Sequence, residues 1–294
     1  MPHILLYFIA LLSLSTSSSL AKLNQMPVEV LGFWRLSIAT ALLGLWVFVV
    51  KRTPFPKIEK RLWWLALSGA FFFGHLWTYK YAAKNTSIAN TMILFATTPV
   101  WSTLGSIAFF KEKITLRLVF AYILAALAVV ILLYNQLHFH GANANGDLSA
   151  LISALFYALF MLAGKRSRSE YPNLIVSNIQ YFVCAFLFLL VTFYTGNNFI
   201  GYAKASWFSV IGQVLVPTFL GHFLFTYLVQ FMNLSVMTCG KLVEPIIGAI
   251  IAYFVFKENL TPEAFMAFAL ISASLIVLFA PSIFKAQILP EEKR

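Results

Sequence analysis

Residues Phe95 to Thr115, FATTPVWSTLGSIAFFKEKIT, and Lys241 to Thr261, KLVEPIIGAIIAYFVFKENLT, are one passage written twice. Aligned 146 residues apart, Pro99 falls on Pro245, and FKEKIT (Phe110 to Thr115) falls on FKENLT (Phe256 to Thr261). Working outward, Tyr81 falls on Tyr227, Ala121 on Ala267, Leu124 on Leu270 and Leu132 on Leu278. The echo therefore joins Tyr79 to Tyr134 with Phe225 to Ala280. Matches among Leu and Ala carry little weight in an apolar chain, whereas shared Pro, Lys, Glu and Thr at one fixed offset carry more. A duplication of this length marks a chain built from two related halves.

Composition sets the solvent of those halves. Of 294 residues, 61% are hydrophobic and 11% charged, and the mean hydropathy is +0.83. Soluble domains carry about 25% charged residues, so this chain cannot cover a water-facing surface. Its apolar runs are about 20 residues long, enough to cross a bilayer core of roughly 30 Å as helix. The alternation of a transmembrane barrel is absent. The expected class is all-α integral membrane, with ten transmembrane helices arranged as two inverted five-helix repeats.

The net charge of +11 does not indicate nucleic-acid binding, because the cations fall in short loops between spans. Cys184 and Cys239 lie within apolar runs and read as small hydrophobes, not as a disulfide or a metal site. There is no phosphate-binding loop, HExxH or GxSxG, so neither an ATP engine nor hydrolase chemistry is expected. Nothing calls for a cofactor.

Breaks at charged, Pro-bearing and Asn/Gly-rich segments give ten approximate spans. The first five are His3 to Leu23, Val28 to Val50, Leu62 to Ala83, Ser87 to Phe110 and Ile114 to Gln136. The second five are Asp147 to Lys165, Leu174 to Thr195, Ala205 to Val229, Met232 to Phe256 and Leu260 to Phe284. Residues 3–136 form the first repeat, 137–146 a connector, 147–284 the second repeat and 285–294 a tail. The opening run could be mistaken for a signal peptide, but Met1 to His3 has no Lys or Arg, and the run is long enough to span.

Orientation follows the Lys and Arg bias. One side carries Lys51, Arg52, Lys57, Lys60, Arg61, Lys111, Lys113, Arg117, Lys165, Arg166, Arg168, Lys285, Lys293 and Arg294. The other carries Lys22, Lys80, Lys84, Lys204 and Lys257. The positive-inside rule puts both termini in the cytoplasm, and a bacterial inner membrane is the expected location. Five spans per half is odd, so the second half enters from the opposite face and the repeat is inverted. Two such bundles rocking on each other expose a midplane site to each side in turn.

Polar groups at membrane depth need a reason. On a continuous helix, Lys241 lies roughly 13–14 Å and Glu244 roughly 18 Å from the start of span nine. Spaced i, i+3, they share a face and can pair, either as a structural bond or as a pair that meets a zwitterion or a coupling proton. Pro99 and Pro245 are expected kinks, and Pro245 leaves a carbonyl free one turn earlier. His75 and His222 sit mid-span at near-equivalent positions, where they could relay protons or simply bond a helix carbonyl. Arg35 has a polar counterpart in Gln180, and either gates, snorkels or anchors a carboxylate. Asn90 needs amide partners, with Thr91 and Thr98 nearby, while Ser13 to Ser19 read as close-packing residues. Trp63 and Trp64 belong to an interfacial belt. Trp77, Tyr79, Tyr81, Tyr157, Tyr227 and Tyr253 either line a cavity or pack.

LGFWRLSIA in span two, the Phe95 to Thr115 passage and the Lys241 to Thr261 passage together resemble the drug/metabolite transporter superfamily, in particular its ten-span EamA-type permeases. The Glu244–Pro245 step, followed by Glu258, is the most specific part, and the likeness runs from Met1 to about Pro281. The resemblance implies alternating access by one chain, with spans one to four and six to nine around a central cavity and spans five and ten outside it. It also implies export or exchange of small metabolites, often amino acids, amines or drugs, with proton or exchange coupling. Lys241 departs from the usual apolar or small residue there, and serines replace the Trp-Gly step in span one. The expected function is a secondary transporter of a small amphipathic metabolite, an amino acid or related amine. A drug efflux permease, an uncoupled facilitator or channel, and a membrane scaffold stand as alternatives. Expected partners are a small-molecule substrate, the bilayer, a coupling proton and a second copy as homodimer, without nucleic acid.

Overall fold

A backbone surrounded by hydrocarbon must satisfy its own hydrogen bonds, and helix does so within one segment. The computed structural model describes residues 2–54, 60–110, 115–134, 144–168, 171–231, 237–238, 241–257 and 261–279. Helix is the only regular structure among the described residues. Lys57, Lys111, Lys113, Cys239, Glu258, most of the 137–146 connector and the 285–294 tail lie outside them. By length and composition, six helical stretches among the described residues, some of them interrupted, can cross a membrane: His3–Lys22, Val28–Val50, Asn90–Phe109, Ala144–Lys165, Asn173–Thr195 and Lys204–Leu228. Val119–Ala128, Glu244–Phe256 and Pro262–Ser274 are shorter apolar helices.

The first run breaks once, at Thr16, into α1 (Pro2–Ser15) and α2 (Ser17–Lys22). Thr16 turns its hydroxyl back to the Ser13 carbonyl, 2.7 Å away. α3 (Val28–Gly44) ends in a π turn over Leu45–Val50. α4 (Lys60–Asn85) is followed by α5 (Ile88–Phe95) and α6 (Thr98–Phe110), so the expected single span four is two helices. α7 (Leu116–Tyr134), α8 (Ala144–Arg168) and α9 (Asn173–Thr195) are continuous. α10 (Lys204–Gln213) widens into a π segment, Val214–Phe223, and narrows again as α11 (Leu224–Leu228). A 3-10 turn, Lys241–Val243, leads into α12 (Glu244–Phe256), and α13 (Pro262–Phe279) completes the described helices.

The π segment has a local cause. Pro217 has no N–H to give the carbonyl one turn back, and Thr218 Oγ1 instead donates to the Gln213 carbonyl at 2.7 Å. The extra residue in the turn re-aims the face that carries Thr218 and His222.

The core sits where α4 packs on α8 and α9, and α1 on the π segment. The N-terminal helix is pinned there by Tyr7, whose hydroxyl donates to the Met237 carbonyl at 2.8 Å. α4 approaches α9 closely at Gly69, where a Cβ would stand 2.9 Å from the Gln180 carbonyl. Large apolar side chains face outward, among them Phe182, Phe186 and Phe193 along one side of α9. Apart from this core, α7 and α13 pack on each other through Ala121, Ala125, Ala128, Ala264 and Ala267, with Ser274 Oγ donating to the Ala121 carbonyl at 2.7 Å.

Candidate functional site

Six helical segments bring their polar or aromatic side chains to one place. His75 comes from the middle of α4, His222 from the π segment, Phe95 from the end of α5 and Tyr157 from α8. Lys241 and Glu244 come from the turn into α12, and Phe225 from α11. Lys241 Nζ donates to Glu244 Oε1 at 2.7 Å, with the two side chains 4% and 5% exposed. The ammonium stands 4.5 Å from the Tyr157 ring centroid, 5.1 Å from Phe225 and 5.3 Å from Phe95. Three ring faces around a desolvated cation contribute about 2 kcal/mol or more in favourable cases. They also make the box a cation-selective surround, closed on one side by a carboxylate.

The expected geometry of this pair needs one correction. Span nine does not run as continuous helix through Lys241; α12 begins at Glu244, so depth cannot be counted along an unbroken axis. Pro245 therefore lies in the first turn, where its missing N–H would have no helical acceptor, and it frees no carbonyl in mid-helix. Pro99 likewise stands in the first turn of α6, just after the break at Ala96 and Thr97. Thr98 Oγ1 covers the exposed Phe95 carbonyl at 2.6 Å.

The histidines stand together beside the box. Their ring centroids are 5.9 Å apart, and Tyr157 lies 4.9 Å from His75 and 6.1 Å from His222. Ser153 Oγ lies 2.8 Å from His75 Nδ1 and donates to the His75 carbonyl at 3.2 Å. His222 Nδ1 is buried with no hydrogen-bond partner among the described residues.

Arg35 is fully buried on α3, so it does not snorkel. Its Nε donates to Thr218 Oγ1 at 2.7 Å and its Nη1 to Gln213 Oε1 at 3.3 Å. The two acceptors come from the last residue of α10 and from the π segment that follows it. Gln180, its sequence counterpart, donates to Ser68 Oγ at 2.7 Å on α4. Asn90 is not brought to the centre: its amide reaches Thr86 Oγ1 at 3.4 Å, and Thr86 in turn donates to Asp147 Oδ1 at 2.8 Å, fastening α5 to the start of α8. Tyr79 and Tyr157 are buried next to the histidines, whereas Trp77, Tyr81 and Tyr253 face outward.

Lys80 was missed. Counted with the loop charges, it is fully buried, its Nζ 5.8 Å over the Phe188 ring and without a hydrogen-bond acceptor among the described residues. The spacing of Gly69, Phe73, Leu76 and Lys80 is the signal: three- and four-residue steps put all four on one stripe of α4. Gly69 and Phe73 meet α9, and so does Lys80. Lys84, one turn on, does reach the surface layer, donating to the Asn24 and Met26 carbonyls at 2.8 and 2.5 Å.

Known proteins share this build. An uncharacterised transporter from Archaeoglobus fulgidus (strain ATCC 49558) is 24% identical over 204 residues, covering 68% of this chain and 70% of that protein. A protein crystal structure superposes with a TM-score of 0.74 at 17% identity, covering 96% of this chain and 98% of the other, which is a likeness of fold. The sequence pattern of the EamA-like transporter family matches twice, over residues 1–134 and again over 144–280. The duplicated passage, the buried polar centre and the two family matches converge: the chain is a multi-pass membrane protein, a transporter and not an enzyme, and belongs to the EamA-like transporter family.

Proposed function

We propose that this transporter is a secondary exporter or exchanger of a small amphipathic metabolite, an amino acid or related amine, working by alternating access. One observation carries the reading. Side chains at equivalent or adjacent positions in the two halves of the sequence meet at the centre: Lys241 lies over Phe95, 146 residues before it, and His75 faces His222, one residue past its own equivalent. Such meetings arise where two similar bundles share a two-fold axis, the seam at which inverted-repeat transporters hold substrate. The two family matches support two repeats, read here as ten spans in two inverted sets over 3–136 and 147–284. Both termini then face the cytoplasm of a bacterial cell, and the functional unit is taken as a homodimer.

In this mechanism Lys241 is a tethered stand-in for the cargo. Its ammonium occupies the carboxylate and aromatic box while the site is empty, and a substrate amine displaces it. The exchange keeps one cation on Glu244 throughout, so an unpaired buried carboxylate never has to cross the membrane. His75 and His222, next to the box, receive or release the coupling proton. The ring-lined box equally fits a bulkier organic cation, and this favours drug efflux as the second reading.

Counterflow in proteoliposomes tests the proposal. Radiolabelled neutral amino acids should accumulate against their gradient when the same compound is loaded on the far side. Glu244→Gln should lower that exchange by about a hundredfold at unchanged expression. Uptake without trans-acceleration would make the protein a facilitator, and wild-type exchange in Glu244→Gln would remove the pair from the mechanism.

A further inference from the structure

A second polar cluster is fastened to the π segment that carries His222, and its chemistry is one-sided. Arg35 and Lys80 are both fully buried, and neither forms an ion pair among the described residues. Arg35 Nη2, Lys80 Nζ and Gln213 Nε2 are buried donors without acceptors among the described residues. They are neighbours. Gln213 Oε1 already takes Arg35 Nη1, which sets its free amide beside the guanidinium. Gly32, one turn before Arg35 on α3, abuts the ring of Phe188, and Lys80 Nζ stands over that same ring.

A buried cation is retained at high cost unless something neutralises it, and here two are buried with no carboxylate paired to them among the described residues. The arrangement contrasts with Lys241, which has Glu244. Three unused donors, one of them a guanidinium edge, suit the two oxygens of a carboxylate. We infer that Arg35, Lys80 and Gln213 form an anion subsite that takes the carboxylate of the transported molecule. The ligand's identity as cargo rests on the transport reading above; the anion site itself does not. Substrate then spans the His75–His222 pair, its carboxylate on Arg35 and Lys80 and its amine at Glu244, which selects zwitterions over simple amines.

The test separates the two ends of such a molecule. Full-length protein in phosphatidylcholine nanodiscs, at constant chloride and ionic strength, is titrated with butyrate, butylamine or inorganic phosphate while thermal unfolding is followed. Wild type should show saturable stabilisation by butyrate. Lys80→Met and Arg35→Met should each weaken its apparent affinity by about tenfold or more and leave the butylamine response in place. Lys80→Arg should retain the butyrate response, which keeps the test open if Arg35→Met does not fold. Lys80→Met without ligand should melt higher than wild type, since it removes an unpaired buried charge. No saturable butyrate effect in wild type, or a wild-type butyrate response in Lys80→Met, overturns the subsite. Phosphate binding in preference to butyrate overturns its assignment to carboxylates. A butyrate response without a butylamine response leaves the anion subsite standing and removes the amine reading of Glu244.

Discussion

The break between α5 and α6 and the break before α12 fall at equivalent positions. Thr98 and Pro99 open one helix, and Glu244 and Pro245 open the other 146 residues later. In the first leg the break is filled by Phe95 and closed by a hydroxyl, Thr98 Oγ1 on the Phe95 carbonyl at 2.6 Å. In the second the same two positions hold Lys241 and Glu244, paired at 2.7 Å. The legs touch: Lys241 lies over Phe95, and Gly248 of α12 leaves no room for a Cβ against Met92 Sδ of α5. Duplication supplied the shape twice, and the charge was placed once. The apolar leg is the wall of the box, and the charged leg is its content.

Breaking one member of the pair should have the largest effect. Lys241→Met leaves Glu244 buried without its cation and should cost about 3–5 kcal/mol of stability, read from unfolding of the purified protein. The Lys241→Met, Glu244→Gln double variant should recover much of that loss, and a strictly additive cycle would mean that the two do not depend on each other. Next is the crossing of the legs. Gly248→Leu forces α5 and α12 apart and should cost about 1–3 kcal/mol, with a lower melting temperature even where the pair is intact. The matching change in the apolar leg, Thr98→Val, removes one neutral hydrogen bond and should cost about 1 kcal/mol. A loss from Thr98→Val as large as that from Lys241→Met would erase the contrast between the legs. Asn90→Ala should be smallest for function: about 1 kcal/mol of stability from the lost amide bonds, with exchange rates unchanged in liposomes. A collapse of exchange in that variant would bring Asn90 into the centre after all.

Much of this was readable from residues alone, for identifiable reasons. Membrane residence follows from composition, and duplication from the fixed offset of FKEKIT and FKENLT. The Lys241–Glu244 contact follows from i, i+3 spacing, which survives the change from α-helix to 3-10 turn because both geometries put such residues on one side. The helix breaks were not readable, because an apolar run has the same hydropathy whether its backbone is continuous or interrupted. Thr16, Ala96 and Thr97 give no stronger signal than their neighbours. The π turn that aims His222 and holds Arg35 depends on Pro217, which was passed over among the apolar residues. Lys80, a cation near the end of a span, reads as a topology charge by position, and only its helix face reveals that it is buried. Asn90 was placed by its depth, but its partners were set by Asp147 at the start of α8, 57 residues later.

The pairing of α7 with α13 has a mechanical consequence. Ala121, Ala125, Ala128, Ala264 and Ala267 give this pairing mostly single-methyl side chains, with Ile271 beside them, and the Ser274 hydroxyl reaches across to the Ala121 carbonyl. Interlocked leucines must change rotamer before helices can slide, but an alanine has no rotamer to change. In the alternating-access mechanism proposed above, such a seam serves as a plain bearing with a latch at Ser274, along which one half shears on the other.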